Sequence, residues 1–72
     1  MERDVVRKAA AAPKPESLVS PPDLAAMLDI PEHTLAQWRS RGTGPAYIKV
    51  GRHVRYRWSV VDAWLQEQTV GA

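Results

Sequence analysis

Cysteine is absent from the 72-residue chain. No disulfide bond can therefore cross-link it, and no thiolate site can bind or sense a metal ion. A chain of this length forms at most one domain, and a domain of about 60 residues buries only roughly 60% of the surface that its unfolded chain exposes. We therefore expect apolar packing to hold the fold together, with a contribution from the three tryptophans. The lack of cysteine also fits a reducing cytoplasm.

Long apolar runs are absent as well. Because the sequence has no stretch of 18 apolar residues, it predicts no membrane span, and its N-terminus lacks the apolar core of a secretion signal. It also has no phosphate-binding glycine loop, no Ser/His/Asp set and no pair of carboxylates at a catalytic spacing. We therefore expect no enzyme activity and no cofactor. Two histidines far apart in the sequence are a poor basis for a metal site.

Positive charge is concentrated in the middle of the chain. Residues 32–57 contain six cations and one acid, Glu32, hence a formal charge of +5, although the whole chain carries only +2. Charge clustered in this way favours binding to a polyanion such as DNA. The alternative is a basic face that is only solvated. The six cations are Arg39, Arg41, Lys49, Arg52, Arg55 and Arg57.

The N-terminal region differs in composition from the rest. An alanine run followed by Pro13 and Pro15 cannot bury enough surface to offset the entropy of ordering it. Residues 1–17 are therefore predicted to form a flexible tail. The domain itself is expected to span residues 18–70.

Two short helices are predicted in close succession. Ser20 is a good N-cap and Pro21 suits the first position of the first helix, whereas the Ile30-Pro31 pair ends it. A second helix should span Glu32–Arg41, with its acid early and its arginines late. Because only about three residues connect the helices, the pair is a helix-turn-helix candidate. The predicted buried positions are Leu24, Met27 and Leu28 in the first helix and Leu35 and Trp38 in the second.

A hairpin is predicted after the breaker cluster Thr43-Gly44-Pro45, where the apolar period changes from that of a helix to that of a strand. Residues 48–50 and 54–57 alternate apolar and basic side chains, and Gly51-Arg52 between them predicts a turn. We expect one apolar face and one basic face on this hairpin. The apolar set is Ile48, Val50, Val54 and Tyr56.

A last helix should begin with Ser59 as its N-cap and with Asp62 three residues later, as in a capping box. Its predicted buried stripe consists of Val61, Trp64 and Leu65. The helix is expected to end near Thr69.

Two runs of this sequence resemble the excisionase and MerR-type winged helix-turn-helix family. They are LVSPPDLAAMLDIPEHTLAQWRSRG and GPAYIKVGRHVRYRWSVVDAWL, which together cover about two thirds of the chain. Most characteristic is IKVGRHVRYR followed by a helix with an Ala-Trp-Leu triplet, here Ala63, Trp64 and Leu65. The resemblance implies a mostly α fold with a small β-hairpin, the winged helix-turn-helix. It also implies proteins that help to excise integrated phages or other elements, or that act as small transcription regulators.

The second helix is then the candidate recognition helix, whose N-terminal residues reach base edges in the major groove. With its apolar stripe turned inward, the outward side chains would be His33, Thr34 and Gln37. Glutamine pairs with adenine and threonine contacts the thymine methyl group. Arg39 and Arg41 are expected on phosphates on either side of the groove, where contacts set register and affinity. The alternative for the three outward residues is a plain solvent-exposed face.

The hairpin would act as the wing. Arg52 and His53 lie at its predicted tip, and an arginine there suits the narrow minor groove of an A-tract, where negative potential is enhanced. Lys49, Arg55 and Arg57 would extend the basic surface along the strands. An alternative role for the last two is to protect exposed strand edges against pairing.

Three functions remain open on the sequence. The first is an excisionase, a recombination directionality factor that binds DNA cooperatively with further copies of itself, bends it and assists an integrase. The second is a small transcription regulator that uses the same surface at a promoter. The third is a protein-interaction module such as an adaptor or antitoxin, with weak DNA affinity. We expect a cytoplasmic, nucleoid-associated protein without a membrane partner. Because long heptads are absent and only a few residues follow the last predicted helix, we expect no coiled-coil dimer and no attached effector domain.

Overall fold

The computed structural model describes residues 14–71, which form three helices and a three-stranded antiparallel sheet. The strand order is β1-β3-β2, so the longest strand is the central one. This architecture confirms the predicted winged helix-turn-helix fold class. Most of the predicted tail, residues 1–13, lies outside the described part of the chain. The elements in chain order are β1 (Leu18–Val19), α1 (Pro21–Leu28), α2 (Glu32–Arg41), β2 (Ile48–Val50), β3 (His53–Arg57) and α3 (Trp58–Gln68).

Helix α1 begins and ends through local hydrogen bonds. The Ser20 hydroxyl accepts a hydrogen bond from the backbone N–H of Asp23 at 3.3 Å, which confirms the predicted N-cap. The helix ends because Asp29 adopts the left-handed conformation (φ 57°), and the N–H of Ile30 donates to the carbonyl of Ala25 at 3.0 Å. The connection to α2 is therefore three residues long, as the sequence predicts.

Helix α2 has the predicted bounds. Its N-cap, Pro31, makes no side-chain hydrogen bond, so the start of the helix depends on the tight turn and not on a cap. At the other end Gly42 occupies the left-handed position (φ 74°), and the N–H of Thr43 donates to the carbonyl of Trp38 at 2.8 Å. The reversal directs the chain towards the sheet.

The core lies between the helices and one face of the sheet. Met27 is 44% exposed, so its predicted place in the core is wrong, and Ala25 is buried instead. The reason is that the buried stripe of α1 is centred between Leu24 and Leu28, on the side of Ala25. Trp38 is half-buried. The buried hydrophobic residues are Val19, Leu24, Ala25, Leu35, Tyr56 and Val61.

The register of the hairpin contradicts the predicted apolar and basic faces. Val50 pairs with His53, and Lys49 pairs with Val54. Residues directly opposite in an antiparallel pair project from the same face, so an even-numbered residue of β2 shares its face with an odd-numbered residue of β3. One face therefore carries Lys49, Val54 and Tyr56, and the other carries Ile48, Val50, His53, Arg55 and Arg57.

The start of α3 also differs from the prediction. The helix begins at Trp58, so the predicted N-cap Ser59 is already its second residue. No side chain caps this end of the helix. Instead, the N–H groups of Trp58 and Ser59 donate to the carbonyls of Ser17 and Pro15, both at 2.9 Å. Backbone carbonyls thus satisfy amides that a cap would otherwise serve. Residues 15–17, which the sequence assigns to the tail, take part in the hydrogen bonding of the domain.

Strand β1 has no counterpart among the sequence predictions. It is two residues long, and it pairs with β3 so that Val19 lies opposite Tyr56 and Leu18 opposite Arg57. Val19 is buried and Leu18 is half exposed, which matches the two faces of β3. Within residues 14–71, no helix is long and apolar enough to cross a lipid bilayer.

Candidate nucleic-acid interface

Helix α2 presents one line of exposed polar side chains. His33, Gln37 and Arg41 are spaced four residues apart, and all three are exposed. Residues four apart lie one above the other on a helix, so these three form a continuous stripe along its outer side. We call His33, Gln37 and Arg41 the recognition stripe.

The stripe faces solvent because the opposite side of α2 is anchored in the core. Leu35 is fully buried among α1 and the sheet. Trp38 packs against Trp64 of α3, with ring centroids 5.5 Å apart and ring planes tilted by 50°. Thr34, which the sequence groups with the outward residues, is half-buried at the margin of the stripe. Two of the three predicted base-reading side chains are thus freely accessible.

Arg39 does not lie on the recognition stripe. It follows Leu35 by four residues and therefore shares the inner side of the helix. Its Nη1 atom donates a hydrogen bond to the hydroxyl of Tyr56 at 2.7 Å, and its guanidinium carbon lies 5.8 Å from the ring centroid of Tyr47. The side chain is half-buried in this position. Arg39 and Arg41 therefore lie on different sides of α2: Arg41 is exposed on the recognition stripe, whereas Arg39 is turned towards the sheet.

The tip of the wing is a two-residue turn. Gly51 adopts φ 62°, and Arg52 follows it, exposed, between the paired residues Val50 and His53. Tight two-residue turns require left-handed conformations that glycine adopts without a steric cost. The turn therefore places Arg52 and the exposed His53 at the extremity of the hairpin, as the sequence predicts.

The strand cations of the wing are divided between its two faces. Lys49 is exposed on the face that carries Tyr56, the face that packs on the helices. Arg55 and Arg57 project from the opposite face, and the Nη1 atom of Arg55 donates to the carbonyl of Val54 at 2.7 Å. The hairpin is consequently basic on both faces and at its tip.

The contact between Arg39 and Tyr56 has no counterpart among the sequence predictions. The four-residue spacing from Leu35 to Arg39 was the available signal, because it places the arginine on the buried side of α2. Its partner could not be identified in the same way, since Tyr56 belongs to a strand 17 residues further along the chain. Within residues 14–71, no group of three or more His, Asp or Glu side chains is arranged to hold a metal ion.

Comparison with known proteins gives one family. A family model described as a helix-turn-helix domain matches residues 18–69. The matched range contains all six elements, from β1 to α3, and with them both the recognition stripe and the wing. No curated protein matches the chain.

Proposed function

The chain belongs to the helix-turn-helix domain family, and on that premise we propose that it binds double-stranded DNA in a sequence-specific manner. Helix α2 enters the major groove with the recognition stripe towards the bases, and the β2–β3 hairpin enters the neighbouring minor groove. The observation that carries this proposal is the combination of an exposed polar stripe on α2 with a basic hairpin. Both belong to a segment with a formal charge of +5.

The positions along the recognition stripe favour base contacts from the N-terminal half of α2 and a phosphate contact from its last turn. His33 and Gln37 occupy the N-terminal half of the helix, the part that reaches base edges in a helix-turn-helix. The glutamine amide matches the N6 and N7 groups of adenine. Arg41, in the last turn, is placed to contact a phosphate at the edge of the groove and so to set the register of the helix.

The wing supports contact with the minor groove. Arg52 at the tip suits the enhanced negative potential of a narrow groove. Because Lys49 and Arg55 project from opposite faces, a hairpin inserted into the groove would present one cation towards each wall. This geometry favours phosphate contacts on both strands, which bring affinity without sequence information.

The size of the module limits its affinity. A single domain of this kind buries roughly 600–1,000 Å² of protein surface on DNA, the lower end of specific interfaces. We propose that further copies bind neighbouring sites cooperatively, since contacts between adjacent copies would raise the occupancy of each site.

Within this function we propose the role of an excisionase, which bends attachment-site DNA and assists an integrase in the cytoplasm. The support is the resemblance of the hairpin run IKVGRHVRYR and of the Ala63, Trp64 and Leu65 triplet to that family. The test is to add the protein to the integrase encoded nearest its gene, with attachment-site DNA. Increased excision with reduced integration is expected. Unchanged yields together with binding at a promoter would contradict this role and favour the transcription regulator.

DNA binding itself is tested by the salt dependence of affinity. With about four to six phosphate contacts, log K against log salt concentration should fall with a slope of about −3.6 to −5.4. Arg52→Gln should reduce the magnitude of this slope by about 0.9, whereas Lys14→Gln, which removes an exposed cation outside the basic segment, should leave it unchanged. A flat salt dependence, or equal effects of the two variants, would contradict the proposal.

A further inference from the structure

Arg39 connects α2 to the central strand of the sheet. Its hydrogen bond to the Tyr56 hydroxyl is 2.7 Å long, within the range of bonds from a charged donor. The same guanidinium lies over the ring of Tyr47, and the two tyrosine rings meet edge to face with centroids 6.3 Å apart. One side chain of α2 thus contacts two aromatic residues, one just before β2 and one in β3.

The tyrosine that accepts this hydrogen bond is deeply buried. Tyr56 is 1% exposed and lies at the middle of the core, opposite Val19 and close to the root of the wing. Within residues 14–71, no buried side-chain nitrogen or oxygen lacks a hydrogen-bond partner. Removing the guanidinium would leave the Tyr56 hydroxyl without the one side-chain partner it has, and an unpaired buried hydroxyl is costly.

The segment that connects α2 to β2 has no regular secondary structure. Residues 42–47 include two glycines with left-handed backbone, Gly42 and Gly44. The whole segment, together with Arg39, lines a cleft of about 330 Å³. The covalent connection between the recognition helix and the wing is therefore an irregular loop beside an open cleft. The hydrogen bond from Arg39 to Tyr56 ties α2 directly to β3, independently of this loop.

We propose that Arg39 is a positioning residue, which holds the recognition stripe and the wing at a fixed separation through Tyr56 and does not bind a phosphate. This inference rests on the proposed DNA binding. A duplex presents its major and minor grooves at a fixed spacing, so two reading elements that shift relative to each other cannot engage both grooves at once. Arg39 thereby contributes to affinity while remaining off the DNA.

Arg41 is the matched control for Arg39. Both arginines lie in the last turn of α2 and both complement its macrodipole, but Arg41 is exposed on the recognition stripe. Each Arg→Gln change removes one positive charge from nearly the same place. A difference between the two variants therefore reports the role of the side chain and not the loss of charge.

The experiment measures DNA affinity against salt concentration for the full chain and for three variants. Arg41→Gln should reduce the magnitude of the salt slope by about 0.9, as expected for one phosphate contact. Arg39→Gln should leave the slope within half of that change, yet weaken affinity between about twofold and thirtyfold, the range of indirect coupling effects. Tyr56→Phe keeps the ring and every charge, and should weaken affinity similarly with an unchanged slope.

Urea unfolding without DNA provides the second readout. Arg39→Gln and Tyr56→Phe should each raise the unfolding equilibrium constant by about tenfold, and the double variant should be no worse than the poorer single variant. A loss of about 0.9 in slope for Arg39→Gln, with unaltered affinity for Tyr56→Phe, would overturn the inference. If the wild-type protein shows no salt-dependent DNA affinity, the proposed function fails. Additive unfolding effects of the two variants would contradict the positioning role separately.

Discussion

Lys49 lies directly across the hairpin from Val54, and it therefore projects from the face of the sheet that carries Tyr56. The two arginines of β3, Arg55 and Arg57, project from the opposite face. Because of this register, the wing carries cations on both of its faces and not on one face only. Cations on both faces would suit insertion of the hairpin into a groove, where each face would meet one strand of the duplex.

The first prediction concerns the two faces of the wing. Lys49→Gln and Arg55→Gln should each reduce the magnitude of the salt slope of DNA binding by about 0.9, because in the proposed complex each cation would face a different wall of the groove. Fluorescence anisotropy titrations at several salt concentrations measure this slope, and the tip variant Arg52→Gln serves as the positive control. A slope change confined to one of the two strand variants would show that only one face of the hairpin contacts DNA.

The second prediction concerns base recognition. Gln37→Ala should preserve the fold and the salt slope but relax the preference at one base pair, where a bidentate contact is worth about 1–3 kcal/mol of discrimination. Selection of bound sites from a random duplex pool measures the preference. Gln66→Ala, the same change at an exposed position of α3, is the control. Identical selected sites for wild type and Gln37→Ala would remove this residue from the interface.

The third prediction concerns the close approach of Gly44 to Trp38. Gly44 has φ 79°, and a Cβ atom there would lie 2.8 Å from Cε3 of the indole. Gly44→Ala should therefore lower the free energy of unfolding by about 2–5 kcal/mol, the left-handed backbone cost together with overpacking. Gly42→Ala is the control, because its added Cβ meets no atom within 4 Å and it pays only the backbone cost of about 1–2 kcal/mol.

Urea denaturation of both glycine variants distinguishes these contributions. The indole belongs to the pair of tryptophans that joins α2 to α3, so displacement of Trp38 should also change the tryptophan fluorescence of Gly44→Ala. Equal destabilisation by the two alanines would show that the loop relaxes away from the indole at no cost.

The fourth prediction concerns the residues before β1. A chain that begins at Leu18 should be less stable than one that begins at Lys14 by about 1–3 kcal/mol, because it lacks the two carbonyls that accept from α3. Thermal unfolding compares the two chains. Hydrogen exchange should localise the difference to the amides of Trp58 and Ser59, and equal protection in both chains would contradict the capping role of these carbonyls.

The elements that the sequence specified correctly are those determined by local chemistry. The cap at Ser20 and the left-handed Gly42 act through neighbours within five residues, and they mark boundaries that the structure confirms. The tip of the hairpin belongs to the same class, since Gly51 and its successor form the turn by themselves.

What the sequence could not specify depends on partners that are distant along the chain. The predicted alternation of apolar and basic residues holds within each strand of the hairpin. The two-residue turn, however, pairs Val50 with His53, so the apolar residues of β2 share a face with the basic residues of β3. The start of α3 was predicted from a local cap, whereas its amides bind carbonyls more than 40 residues earlier. The charge of Arg39 predicts a phosphate contact, whereas the hydrogen bond to Tyr56 depends on a strand 17 residues further along the chain.

Simultaneous binding of one duplex by α2 and the wing is measured most directly by an amide-shift titration with duplex DNA. The expected result is that the largest shifts occur at the recognition stripe and around Arg52 and His53, at the same DNA concentration. The exposed side of α3 around Asp62 should remain unshifted. Shifts confined to α1 and α3, or shifts of α2 and the hairpin that saturate at different DNA concentrations, would contradict the account.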